Sequence, residues 1–216
     1  MTQKLFAIVV VGFLSGCAPG LVGGGNPSDP NLDRVLLSDP SVPAEQGLLY
    51  MAMQDAEVAI ENAGWAMTAD DPDETKGRIY NVLYAMDPEF PATPTVTSYG
   101  LAGFWPGTGY GLRRSAQGIA DQMRAVGSRH ASRAVVADPA GQVVACAEET
   151  LARADHVVSL GQQALDASTA DQMDPLVAEM SRLTHIIMEA PAAQEANACS
   201  LEHAKRYLNG LALQPG

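Results

Sequence analysis

The chain has 216 residues and a formal net charge of −12, with 25 acidic against 13 basic side chains. An acidic surface repels phosphate backbones and anionic lipid head groups, so this balance argues against nucleic acid as a partner. At this length the chain can bury a sizeable core unaided, and one domain is the default expectation.

The first sixteen residues have the layout of a secretory signal. Lys4 precedes the apolar run Leu5–Leu14, and the small residues Ser15 and Gly16 follow it. Crossing a bilayer takes about 20 apolar residues, roughly twice the length of this run. We therefore predict that residues 1–16 are a cleaved signal peptide and not a spanning helix.

The residues at the end of this segment, Leu14-Ser15-Gly16-Cys17, resemble the lipobox of bacterial lipoproteins. The resemblance implies cleavage before Cys17, a diacylglycerol on its thiol and an acyl chain such as palmitate on its new amine. Three chains would hold the protein at a membrane, because each buried methylene adds about 0.8 kcal/mol. Ala18 follows the cysteine where an aspartate would be a retention signal. By the sorting pattern of such lipoproteins, this implies the outer membrane, with the body facing the periplasm.

Residues 17–43 are predicted to be a lipidated and mostly flexible linker. They are dense in glycine, proline, serine and aspartate and lack sustained apolar periodicity. The short apolar pieces 21–22 and 35–37 are candidates for docking onto a folded body.

Six stretches with helical periodicity follow, and only residues 93–99 are a candidate for an extended strand. The helices are predicted over 44–66, over 72–86, from 112 with a bend or end at 127, from 138, from 169 to before Pro191, and over 193–209. The local signals are Asp71-Pro72 and Asp138-Pro139 at helix starts, Thr169 with Gln172 as a capping box, and Gly210 as a C-cap. The sequence predicts an all-α domain over 44–213, a bundle of five to six helices.

Two cysteines remain once Cys17 carries lipid, and in an oxidising compartment a disulfide between Cys146 and Cys199 is expected. Short connections favour an up-down-up arrangement of the last three helices. The two cysteines would then lie at the same level of two parallel helices. The apolar stripe of the last helix points away from Cys199, so either that helix begins after Cys199 or its back face is also covered.

The candidate for ligand or partner binding is the stretch 98–114, at the end of a long loop from 87 to 111. It contains five glycines, and a loop of this length is usually functional or disordered. Its rings could stack on a ligand while its arginines hold an anionic group. The alternative is that the rings cap an open end of the bundle and the arginines pair with surface carboxylates. The candidate residues are Tyr99, Phe104, Trp105, Tyr110, Arg113 and Arg114.

No catalytic or cofactor-binding motif of known spacing is present: there is no nucleophile elbow, phosphate-binding loop, haem-attachment motif or paired-histidine metal motif. His156 and His185 share helical faces with glutamates, but each face offers too few ligands for a metal site. The sequence favours a non-catalytic binding or accessory component of the cell envelope, without metal or cofactor, whose partner is an envelope protein or another envelope component. A helical carrier of a small ligand, metal or noncovalent haem is the alternative, and an enzyme ranks third.

Overall fold

A computed structural model describes residues 29–90, 107–189 and 199–212. Within these ranges the chain forms seven α-helices and a short 3₁₀ turn, Pro43–Glu45, with no strand. The predicted all-α bundle is confirmed, with one helix more than predicted. The helices are α1 (Pro30–Leu36), α2 (Leu48–Thr68), α3 (Pro72–Met86), α4 (Leu112–Arg129), α5 (Ala134–Asp166), α6 (Ala170–Met188) and α7 (Leu201–Ala212).

Two helices, α2 and α5, organise the bundle. α2 packs against α1, α3, α4, α6 and α7, whereas α5 packs against α3, α4, α6 and α7. The inner stripe of α2 consists of small side chains, which let its neighbours approach closely. The bulk of the single core comes from larger residues on the other helices. The fully buried alanines of α2 are Ala52, Ala56, Ala59 and Ala63, and the larger core residues include Leu83, Met86, Ile119, Met123 and Ile187.

The last two helices lie end to end along α5. With 33 residues, α5 is about 50 Å long, enough for the 19 residues of α6 and the 12 of α7 together. α6 follows α5 through a three-residue link and runs back along it. α7 continues in that direction, because Cys199 adjoins Cys146 while Tyr207 lies beside Val135. The predicted up-down-up arrangement, with α5 and α7 parallel, is wrong: α7 runs antiparallel to α5.

Helix starts follow the predicted signals in some places and not in others. Asp71 caps α3, accepting a hydrogen bond from the Asp73 N–H at 2.9 Å, as predicted. α5 begins at Ala134, before the predicted start at Asp138-Pro139. Pro139 removes only the hydrogen bond to the Val135 carbonyl, and Val135 is half exposed, so water can satisfy that group.

The last two predicted helix boundaries also shift. Thr169 is the N-cap of α6, but its side chain makes no capping bond. Instead Ser168 donates to the side-chain oxygen Oε1 of Gln172 from its N–H and its hydroxyl, both at 3.2 Å. α7 begins after Cys199, which is the first of the two alternatives above. Gly210 lies inside α7 and is not its C-cap.

The predicted linker is shorter than residues 17–43, because the chain packs onto the bundle from Asp29 onward. Val35 of α1 is fully buried, and the docking predicted for the piece 35–37 is borne out at this residue. Gly47, at the start of α2, lies so close to α1 that a Cβ would come within 2.7 Å of the Leu36 carbonyl carbon. The folded body therefore starts well before residue 44. In the part of the chain described, no helix has the length and apolarity to cross a bilayer.

Candidate functional site

The loop that leads into α4 is held by one buried carboxylate, that of Asp55 in α2. Its oxygens accept hydrogen bonds from the Thr108 N–H at 2.7 Å, the Thr108 hydroxyl at 2.8 Å and the Gly111 N–H at 3.1 Å. The Thr108 hydroxyl also accepts from the Tyr110 N–H at 3.1 Å. Asp55 thereby fixes the end of the glycine-rich stretch against the centre of the bundle.

The glycines of this loop are required by its geometry. Gly107, Gly109 and Gly111 have φ values of 95°, 73° and 91°, a region that side chains other than glycine rarely adopt. A Cβ at Gly107 would also lie 2.5 Å from the Asp55 Oδ1 atom. The glycine spacing is therefore explained by the backbone path around the carboxylate.

Burial raises the pKa of Asp55 to about 6, from a usual value of 3.8. The side chain is 1% exposed, so desolvation of the charged form outweighs the three hydrogen bonds that favour it. Asp55 is not among the site residues predicted from the sequence. The available signal was an acid on the buried alanine stripe of α2, where an unpaired carboxylate would be costly.

The two arginines of the predicted binding stretch are already paired with carboxylates. Arg113 binds Asp87 at 2.7 Å and Asp155 at 2.8 Å. Arg114 binds Glu89 at 2.7 Å, and its guanidinium carbon lies 5.3 Å from the centre of the Tyr110 ring. For these residues the structure fits the alternative in which the arginines pair with surface carboxylates. Tyr99, Phe104 and Trp105, with the extended candidate 93–99, lie outside the described residues, so ligand stacking stays a prediction.

The positive charge that follows on α4 is neutralised in the same way. Arg124 binds Asp121 at 2.7 Å and also pairs with Glu148 on α5. Arg129 pairs with Asp29, the N-cap of α1. These arginines therefore connect α4 to its neighbours and do not present an open cationic surface.

Cys146 and Cys199 are brought together as predicted. Their sulfur atoms are 2.27 Å apart and their Cα atoms 4.5 Å apart, which is disulfide distance. Arg153, only 8% exposed, donates to the Cys199 carbonyl and binds Glu149 at 2.7 Å. The start of α7 is thus fixed to the middle of α5, and oxidation of the pair stays a prediction.

The histidines do not gather into a site. His130 lies 3.2 Å from Asp29, the ring of His185 lies 2.9 Å from the Ser181 carbonyl, and that of His203 lies 2.9 Å from the Ser200 hydroxyl. Among the residues that the structure describes, no three His, Cys, Asp or Glu side chains are arranged to hold a metal ion.

A shallow groove of about 350 Å³ opens beside the anchored loop. It is lined by Pro43, Tyr50, Val58 and Thr108 among others, and Tyr50 is 49% exposed. The chain thus offers a concave, partly apolar surface next to the stretch singled out by its sequence. Comparison with protein-family models, with curated proteins and with solved structures finds no match for this chain.

Proposed function

We propose that this protein is a bacterial lipoprotein, anchored through Cys17 in the outer membrane and facing the periplasm. Its helical domain acts there as a non-catalytic binding or accessory component of the cell envelope. The observation that carries the proposal is the lipobox-like segment Leu14–Cys17 behind a short apolar run and a single lysine. That combination directs export and lipid attachment together.

The start of the folded body supports a role close to the membrane. Twelve residue steps separate Cys17 from Asp29, and at no more than about 3.6 Å each they span at most about 43 Å. Asp29 binds Arg129 and His130 at the end of α4. Asp29, the residue nearest the anchor that the structure describes, therefore lies at the connection between α4 and α5.

The structural roles of Asp55 and Arg113 favour a binding protein over an enzyme. Asp55 is buried and accepts three hydrogen bonds from the 107–111 loop, which positions that loop. Arg113 is engaged on both sides, by Asp87 and Asp155. These groups hold the fold in place, whereas a general acid, base or nucleophile must reach a substrate atom.

The cysteine pair supports an oxidising compartment. Cys146 and Cys199 lie at disulfide distance, and disulfides persist in the periplasm but are rare in the cytosol.

Fractionation of the envelope tests the anchor and its destination. We expect the wild-type protein in the outer membrane, the Ala18→Asp variant in the inner membrane, and the Cys17→Ala variant absent from the outer membrane, with its leader uncleaved at that site. The same location for wild type and Cys17→Ala would contradict the proposal.

Crosslinking in intact envelopes, followed by affinity capture, tests the accessory role. We expect a defined envelope protein or component to be captured with the chain. A purified protein with stoichiometric metal or a visible absorption band would instead indicate a carrier.

A further inference from the structure

A groove of about 510 Å³ lies where α6 ends and α7 begins, beside α2; we call it the junction groove. Its origin is the end-to-end placement of α6 and α7 along α5. Met188 and Glu189 end one side of the groove, and Glu202 and Arg206 of α7 begin the other. Neither α6 nor α7 occupies the space between, so among the described residues a face of α2 lines the groove there.

The floor of the junction groove is apolar and adaptable. Met53 and Ile60 of α2 and Met188 of α6 line it; all three are partly buried, and the two methionines pack against the core. Met53, Glu57, Ile60 and Glu61 are spaced four, three and one residues apart, which puts them on one face of α2. Methionine thioethers adjust to the shape of an apolar partner, which suits them to binding surfaces.

The rim of the junction groove is strongly acidic. Four glutamates, Glu57, Glu61, Glu189 and Glu202, surround it with a single cation, Arg206. The described residues offer Glu61 and Glu189 no side-chain partner, and Glu57 accepts only a neutral bond, from the Gln54 amide. Glu202 is paired with Lys205 of the same helix at 3.2 Å. Glu57, Glu61 and Glu189 therefore carry negative charge that no cationic side chain of the described residues neutralises, whereas the arginines of α4 are paired with carboxylates.

We infer that the junction groove binds a basic, amphipathic segment of an envelope protein. Apolar side chains of that segment pack on Met53, Ile60 and Met188, and its lysines or arginines face the glutamate rim. An amphipathic helix that binds in a groove makes its apolar contacts through residues three or four positions apart. The groove is too open to enclose a small molecule, which small-molecule sites do for most of the ligand surface. The inference rests on the proposed function and names the class of partner.

A synthetic peptide of about 18 residues, with leucine and lysine at helical spacing, is the probe. Its binding to the full mature chain is measured by fluorescence anisotropy, in phosphatidylcholine nanodiscs if the chain is lipidated and in buffer if it is not. Empty nanodiscs correct for binding to lipid. A peptide with glutamate in place of lysine is expected not to bind.

Two pairs of variants separate the groove from general attraction. Glu61→Lys is expected to weaken binding about tenfold, whereas Asp174→Lys, exposed on α6 and about 21 Å along that helix from Met188, changes it little. Met53→Gln is expected to weaken binding by a similar factor, whereas Met67→Gln, 55% exposed on α2, does not. Circular dichroism checks that each variant folds.

Equal effects of Glu61→Lys and Asp174→Lys, or no effect of Met53→Gln, would overturn the inference. A photoreactive p-benzoylphenylalanine in place of Glu57, activated in intact envelopes, identifies the occupant. A crosslink to a basic segment of another protein supports the inference, whereas crosslinks confined to this chain or to a second copy overturn it. If the wild-type protein does not bind the peptide but is sorted normally to the outer membrane, this inference fails while the proposed function stands.

Discussion

The Asp55 carboxylate makes the stability of the domain depend on pH in a direction opposite to that of a salt-bridged acid. Its pKa is raised from 3.8 to about 6 by burial. A carboxyl with a higher pKa in the folded than in the unfolded chain binds more protons when folded. Its contribution to stability is therefore greatest below about pH 4 and is lost as the pH rises through 6. At 1.36 kcal/mol per pKa unit, the loss amounts to about 3 kcal/mol.

Asp55→Asn removes this titration while keeping the size of the side chain. We expect the free energy of unfolding of the wild type, minus that of Asp55→Asn, to fall by about 2 kcal/mol between pH 4 and pH 7, which is most of the full change. Urea unfolding followed by circular dichroism, in steps from about pH 4 to pH 8, measures it. The absolute difference at any one pH also contains the cost of placing an amide against three donors, so the slope is the diagnostic quantity.

The same substitution at the exposed Asp174 serves as the matched control for removing one carboxylate from an acidic protein. A difference between wild type and Asp55→Asn that stays flat from pH 4 to pH 7 would refute the reasoning. It would mean that the hydrogen bonds from Thr108 and Gly111 balance the desolvation of the charge.

Two further predictions concern packing and the cysteine pair. Gly161→Ala should lower the free energy of unfolding by about 1–3 kcal/mol, because a Cβ there would lie 2.6 Å from Leu83 Cδ2. Gly141→Ala, whose Cβ meets nothing within 4 Å, should instead raise the free energy of unfolding by up to about 1 kcal/mol. Urea unfolding compares the two variants. Equal effects would contradict the close contact between α5 and α3. Reductant should lower the free energy of unfolding by about 4 kcal/mol, since Cys146 and Cys199 close a loop with a sequence separation of 53. A chain with both cysteines replaced by alanine should not respond, and free thiols in protein from the periplasm would contradict the bond.

Local signals in the sequence were sufficient for the fold class and for some helix ends. The periodic stripe of α2 and the capping of α3 by Asp71 depend on residues within one or two helical turns of each other. Such information is present in any short window of the chain. Thus the all-α prediction is confirmed.

The direction of α7 required information that no short window contains. The length of α5 was underestimated, because Pro139 suggested a start where the helix is already under way. The reversal after α6 was expected from a short predicted connection, whereas α6 ends at Met188 and α7 begins only at Leu201. The position of Cys199 beside Cys146 is compatible with either direction, whereas the position of Tyr207 near Val135 distinguishes them.

The candidate site was only partly predictable for the same reason. Asp55 meets Thr108 and Gly111 across 53 and 56 residues of sequence. Arg113 meets Asp87 across 26 residues, so its pairing could be offered only as one of two alternatives. Composition marked the stretch 98–114 as unusual, but the partners that hold its end in place come from distant parts of the chain.

The mass of the amino-terminal peptide, from protein extracted out of the bacterial envelope, tests the central claim most directly. A chain that begins at Cys17 and carries a diacylglycerol and one further acyl group is predicted. A chain that still carries residues 1–16, or one that begins at Cys17 without lipid, would contradict the proposed anchor.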